Sequence, residues 1–287
     1  MMLEDQIARN HRRSYLLMLL VPAILVSVIF VAGRIFAPGI SPFMVLAVGS
    51  LVSVVYVLYS YFRSDKMVLK STGAEKAPES SYSQYHDLVE GLSISSGAPK
   101  PELYVKDSDA INAFATGRKP EDGKICVTTG ALEKLEKDEL EGVLAHELAH
   151  IRNHDTLFMT VAVALIGMVS ILSELILDGL FFGVDDDTPP WALAAGIALA
   201  IMAPISARLV QLAMSRKREY LADASGAKMT RYPEGLASAL EKIEAQSQRM
   251  EANRAVSHLY MSNPLDGSEL FSTHPPTQER INRLREM

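Results

Sequence analysis

Four charge-free apolar runs constrain this chain more than any other feature. Ser14–Gly33, Ile35–Phe62, Leu157–Ser173 and Trp191–Ala207 contain no Asp, Glu, Lys or Arg. The first two meet the length of about 20 residues that an α-helix needs to cross a bilayer, and the others lie near the lower limit of about 17. A helix apolar all round has no face for water, so a soluble domain of this size would have to bury all four completely. The runs therefore predict four membrane spans. The first exceeds the roughly 7 to 15 apolar residues of a signal-peptide core. A second follows directly after Pro38, Gly39 and Pro42, so the first reads as a retained anchor.

Lys and Arg near span ends stay preferentially on the cytoplasmic side. Arg9, Arg12 and Arg13 precede span one, and Arg63, Lys66 and Lys70 follow span two. Arg152 precedes span three, and Arg216, Lys217 and Arg218 follow span four. The opposite side holds a short turn with Arg34 at its edge and the acidic loop Asp185-Asp186-Asp187. Both termini and every soluble segment are thus expected in the cytoplasm. A net charge of −6 argues against a nucleic-acid partner. The single cysteine, Cys126, excludes an internal disulfide framework and a cysteine-based zinc cluster.

The expected architecture is mainly α: four transmembrane helices plus a cytoplasmic α+β unit. Its parts are an N-terminal transmembrane hairpin (1–66), a first soluble part (67–156), a second hairpin (157–214) and a second soluble part (215–287). Ser71 to Ser83 reads as a linker and Tyr85 to Ser96 as a helix. Leu103-Tyr104-Val105 and Ile125-Cys126-Val127 read as short strands. Asp138, with Glu141 three residues on, is the expected N-cap of a helix that carries His146-Glu147-Leu148-Ala149-His150.

Residues four apart share a helical face, so His146 and His150 can present two imidazoles to one metal ion. Glu147 is rotated off that direction and suits a general base acting on a water that zinc activates. The apolar neighbours Gly142-Val143-Leu144-Ala145 set this motif apart from a solvated helix face. His154 could extend the same face, but Asn153 and Asp155 read as a helix end in water. A catalytic zinc normally takes a third protein ligand. Spans three and four, joined by a short loop, should pack antiparallel and bring His150 close to Glu219-Tyr220-Leu221-Ala222-Asp223. Glu219 is the expected third ligand, and Asp223 the acceptor that orients a ligating imidazole.

These residues resemble the HtpX family of membrane-bound zinc metalloproteases. The resemblance rests on Asn112-Ala113-Phe114-Ala115-Thr116-Gly117, Val127-Thr128-Thr129-Gly130 and the HExxH helix through Asn153-His154-Asp155. It continues in Glu219 to Asp223 and in Ser272-Thr273-His274-Pro275-Pro276, and so covers nearly the whole chain. It implies a zincin-like catalytic domain with one zinc per chain, in a prokaryotic plasma membrane, cutting misfolded or damaged membrane proteins. It carries His146, His150 and Glu219 over as zinc ligands, Glu147 as the catalytic glutamate and Asp223 as the supporting aspartate. Asn112, Ala113 and Phe114 would belong to a strand beside the active site where a peptide substrate adds, and His274 would approach the metal. Two other readings stay open: a CAAX-type prenyl protein protease, which would have more spans, and a zinc-retaining membrane chaperone or adaptor, which would not need Glu147.

Overall fold

The computed structural model describes residues 42–157, 216–246, 260–261 and 275–287, with scattered positions between 22 and 41. Two compact units divide the chain, with one boundary between Ser64 and Asp65.

The first unit holds most of helix α1 (Pro42–Thr72, 31 residues), which continues past that boundary and opens on a proline, whose fixed φ suits a first helical position. Its stretch Pro42–Tyr59 is, among the described residues, the one helix long and apolar enough to cross a membrane. Phe43, Leu51, Val54, Val55 and Leu58 all point outward, Phe43 with 83% of its surface exposed, a surface suited to lipid rather than water. A Cβ at Gly49 would lie 3.1 Å from the side chain of Ile29, and one at Gly33 would lie 2.6 Å from Val45. These glycines let the described parts of spans one and two approach closely. Span two is helical from Pro42, at the turn residues expected to precede it. Span one is helical where it is described between Pro22 and Arg34. Spans three and four lie outside the described residues.

The second unit contains a mixed four-stranded sheet of β1 (Glu75–Lys76), β2 (Glu102–Lys106), β3 (Ala113–Thr116) and β4 (Lys124–Thr128), in the order β1-β2-β4-β3. The two strands expected from sequence, β2 and β4, pair in parallel with Tyr104 opposite Cys126. All five residues of β4 are buried, as the apolar run Ile125-Cys126-Val127 of a strand covered on both faces requires. Burial also pushes the Cys126 thiol up, so the lone cysteine is a packing residue. Helix α2 (Ser83–Ser96) ends on Gly97 at φ 68°, the left-handed conformation in which glycine is favoured. From α2, Tyr85 donates its hydroxyl to the Ile125 carbonyl at 3.0 Å, which ties the helix to β4.

Helix α3 (Thr129–Lys134) is capped by the Thr128 hydroxyl. Helix α4 (Lys137–Arg152) follows, and α5 (Arg216–Thr230), α6 (Pro233–Ala245) and α7 (Thr277–Arg285) complete the unit. Helix α4 starts at a capping box of Glu136 and Glu139, not at Asp138 with Glu141. The Glu136 N–H donates to Glu139 Oε2 at 2.7 Å, and Lys242 Nζ meets the same oxygen at 2.6 Å. That cation holds Glu139 in its capping position, so the helix begins earlier than the Asp138 pattern implied. Leu144, Leu148 and Ile151 of α4 form one core with Ile125 of the sheet and Leu236 and Leu240 of α6.

Candidate metal centre

Helix α4 is enclosed on nearly all sides. His146, Glu147 and His150 are 1%, 3% and 5% exposed. Glycine makes the enclosure possible, because a Cβ at Gly226 of α5 would stand 3.1 Å from the His146 backbone nitrogen. With no side chain there, α5 approaches the backbone of α4, and Asp223 and Glu219, about one and two turns earlier on α5, come level with the two histidines. The meeting of His150 with Glu219 expected from sequence is present. The hairpin expected to cause it lies outside the described residues, and α4–α5 packing brings the two together within the unit.

His146 Nδ1 lies 2.9 Å from Asp223 Oδ1, and His150 Nδ1 lies 3.2 Å from Asp155 Oδ2. An ionised carboxylate only accepts, so in each neutral ring Nδ1 carries the proton and Nε2 presents a lone pair. The two Nε2 atoms face each other at 3.1 Å. Glu219 Oε2 lies 3.7 Å from His146 Nε2, and Glu219 Oε1 lies 3.5 Å from His150 Nε2. Three acceptors have thus converged, with ligand atoms all within 4.8 Å of one another. Neutral rings cannot bond each other in this arrangement, but a cation between them satisfies all three. Ligands about 2.0 to 2.1 Å from a tetrahedral ion stand about 3.3 Å apart. The residues fit a metal ion.

The electrostatics agree with the geometry. Burial pulls the His146 imidazole down, but hydrogen bonds to Asp223 and Glu219 overcome it and raise the pKa to about 9. The cluster therefore favours positive charge. Burial raises the Glu147 carboxyl despite the two nearby imidazoles, moving it toward the range useful to a general base. Asp223 is held at about 2: burial opposes ionisation most strongly, but the Arg280 charge and the hydrogen bonds from His146 and Arg280 together outweigh it.

Arg280 was not singled out from sequence. It comes from α7, is 2% exposed, and donates to both oxygens of Asp223 at 2.7 and 2.9 Å. Its Nη1 also lies 3.8 Å from Glu219 Oε2. A signal existed, since Arg280 shares a helical face with the buried Leu284, four residues on. Asp155 is a correction. The sequence placed it in water, whereas it is 1% exposed and bonded to His150. His274 lies outside the described residues, immediately before the buried Pro275.

The segment Asn112-Ala113-Phe114 lies at the start of β3, an edge strand antiparallel to β4. Thr128 N–H donates to the Asn112 carbonyl, so by antiparallel alternation Asn112 and Phe114 turn their backbone groups toward β4. Ala113 and Ala115 turn theirs to the outer edge. The Met261 N–H already donates to the Ala113 carbonyl at 2.9 Å, and the Tyr260 ring packs edge-on against Phe114.

The sequence profile of peptidase family M48 matches residues 79–287. The protease HtpX homolog of Caldanaerobacter subterraneus subsp. tengcongensis is 41% identical over 290 residues, covering 98% of this chain and 96% of that protein. The homolog from Tropheryma whipplei strain TW08/27 is 40% identical over 292 residues, covering 100% and 99%. The homolog from Pelotomaculum thermopropionicum is 44% identical over 245 residues, covering 83% and 87%. The crystal structure of S. mikatae Ste24p superimposes with a TM-score of 0.51 at 20% identity, covering 97% of this chain and 66% of that one, a likeness of fold alone. Family profile and relatives together define a metallopeptidase, and its helix-rich fold with a small mixed sheet is consistent with a zincin-like domain. The chain belongs to the HtpX protease family within peptidase family M48.

Proposed function

We propose that this metallopeptidase is a multi-pass membrane endopeptidase that uses one zinc ion per chain. His146, His150 and Glu219 are its ligands, and Glu147 is its general base. The observation that carries this reading is the convergence of His146 Nε2, His150 Nε2 and a Glu219 oxygen, with each ring's far nitrogen committed to a carboxylate. Two imidazoles and one carboxylate are the ligand set of a catalytic rather than a closed structural site. Zinc bound there supplies Lewis acidity that polarises the scissile carbonyl and acidifies the attacking water.

The chain's own groups do the rest. Glu147 accepts the proton of the attacking water and delivers it to the departing amine nitrogen. The outer edge of β3 holds the peptide extended through backbone hydrogen bonds, with Ala115 the outward-facing position beyond the contact at Ala113. His274 would stabilise the oxyanion. The apolar surface of α1 and the lysines and arginines flanking the expected spans support a membrane setting with the site on the cytoplasmic face. Misfolded or damaged membrane proteins are the substrates that this setting favours.

The test uses the full chain purified in detergent, stripped with a chelator and resupplied with zinc, with casein or a labelled peptide as substrate. The expected outcome is zinc-dependent cleavage that Glu147→Gln reduces by about a thousandfold or more while metal content stays at one per chain. Equal turnover in that variant would remove Glu147 as the base. A zinc-retaining adaptor without proteolysis predicts no cleavage by either protein.

A further inference from the structure

Asp155 stands five residues after His150, and an unbroken helix would carry it about 140° around the axis from that ring. The chain prevents this. Helix α4 ends with Asn153 N–H donating to the Ala149 carbonyl and His154 N–H donating to Ile151. His154 then takes φ 57°, a left-handed conformation uncommon for a residue with a side chain. This turn brings Asp155 back beside His150, its Oδ2 3.2 Å from Nδ1. On the other side of the carboxylate, Arg218 of α5, itself 7% exposed, places Nη1 3.9 Å from Asp155 Oδ1. Each imidazole thus has a carboxylate behind it with an arginine beyond: Asp223, hydrogen-bonded by Arg280, behind His146, and Asp155, with Arg218 at the longer distance of 3.9 Å, behind His150.

The geometry points to Asp155 as a positioning residue that fixes the tautomer and ring orientation of His150 for metal binding, with Arg218 holding its charge in the interior. This inference rests on the metal site proposed above. A carboxylate behind a ligating imidazole raises the basicity of the ligand nitrogen, and its loss typically weakens metal binding by about 10- to 100-fold. The Arg218 guanidinium, 3.9 Å away, supplies a countercharge on the carboxylate's far side.

The experiment measures the zinc dissociation constant of the full chain in detergent by competition with a chromophoric chelator, alongside thermal unfolding of the metal-free protein. Asp155→Ala should weaken zinc by about 10- to 100-fold. Asp155→Asn, whose amide oxygen still accepts from Nδ1, should return to within a few-fold of the wild type. Arg218→Met should weaken zinc less than Asp155→Ala, and should add nothing once Asp155 is already alanine. If Asp155→Ala does not fold, Asp155→Ser, polar but too short to reach the ring, should show the same loss. Zinc affinity within twofold of wild type in the alanine or serine variant overturns the inference, as does an asparagine variant no better than alanine. A wild-type chain that takes up no zinc overturns the metal site itself and this inference with it, so the two failures are told apart.

Discussion

Arg280 heads the largest fully buried side chains among the described residues, and its guanidinium is met by both oxygens of Asp223. Removing one member of a buried pair leaves an uncompensated charge, a loss of about 3 to 5 kcal/mol, whereas replacing both with neutral groups costs less. Arg280→Met should therefore lower the unfolding free energy of the metal-free protein by about that amount. Adding Asp223→Asn in the same chain should restore part of it, read from chemical denaturation of the two single variants and the double variant. Additive losses would show that the two side chains act independently. His146, Glu147 and His150 were legible in the sequence because their chemistry depends on a local spacing that a helix fixes. Asp155 and Arg280 were not, because burial of a charge is decided by elements distant in sequence. Asn153 and Asp155 looked like solvated helix-end residues until the turn at His154 folded them inward.

Helices α4 and α5 meet where Gly226 has no side chain, and the site depends on that approach. A methyl group 3.1 Å from the His146 backbone nitrogen is tighter than ordinary packing, so α5 must withdraw by a few tenths of an ångström and carry Glu219 with it. Gly226→Ala should cut peptidase activity by about tenfold or more while the fold survives, since small misplacements of reacting groups are expensive. Gly91 provides the contrast: it lies inside α2, and a Cβ there meets nothing within 4 Å. Gly91→Ala should leave activity unchanged and raise stability by roughly 0.5 to 1 kcal/mol through helix propensity. Equal activities in the two variants would mean that the α4–α5 spacing does not set the site. Among the elements, β2, β4 and the HExxH helix were legible as apolar runs and helical spacing. The start of α4 was not, because Lys242, over a hundred residues away, supports Glu139 as the capping partner. The segment 112–114 was assigned to a strand by resemblance, but only the register with β4 shows that Ala113 and Ala115 are the residues whose backbone groups turn away from β4.

Since His146 and His150 come from α4 and Glu219 from α5, helices separated by the 63 residues between Arg152 and Arg216, a metal bound by all three favours the folded state of the whole catalytic unit. At a free concentration 100 times its dissociation constant, a ligand that binds only the folded state adds about 2.7 kcal/mol. Protons compete for the same place. In the metal-free protein His146 has its pKa raised from 6.5 to about 9. The stability this contributes is fully present below pH 6.5 and is lost as pH rises through about 9. Metal binding requires the neutral ring, so its stabilisation changes in the opposite sense. The rise in unfolding temperature on adding zinc should therefore be small at pH 6.5 and grow steadily toward pH 8.5, with protons released on binding. Calorimetric titrations in buffers of different ionisation enthalpy would count those protons, and scanning fluorimetry with and without zinc would follow the thermal shift. A zinc-induced shift that shrinks as pH rises would mean that the metal does not displace a proton from His146. His146→Ala should weaken the pH dependence along with most of the shift, because it removes one of the sites where a proton competes with the metal and one of the three ligands.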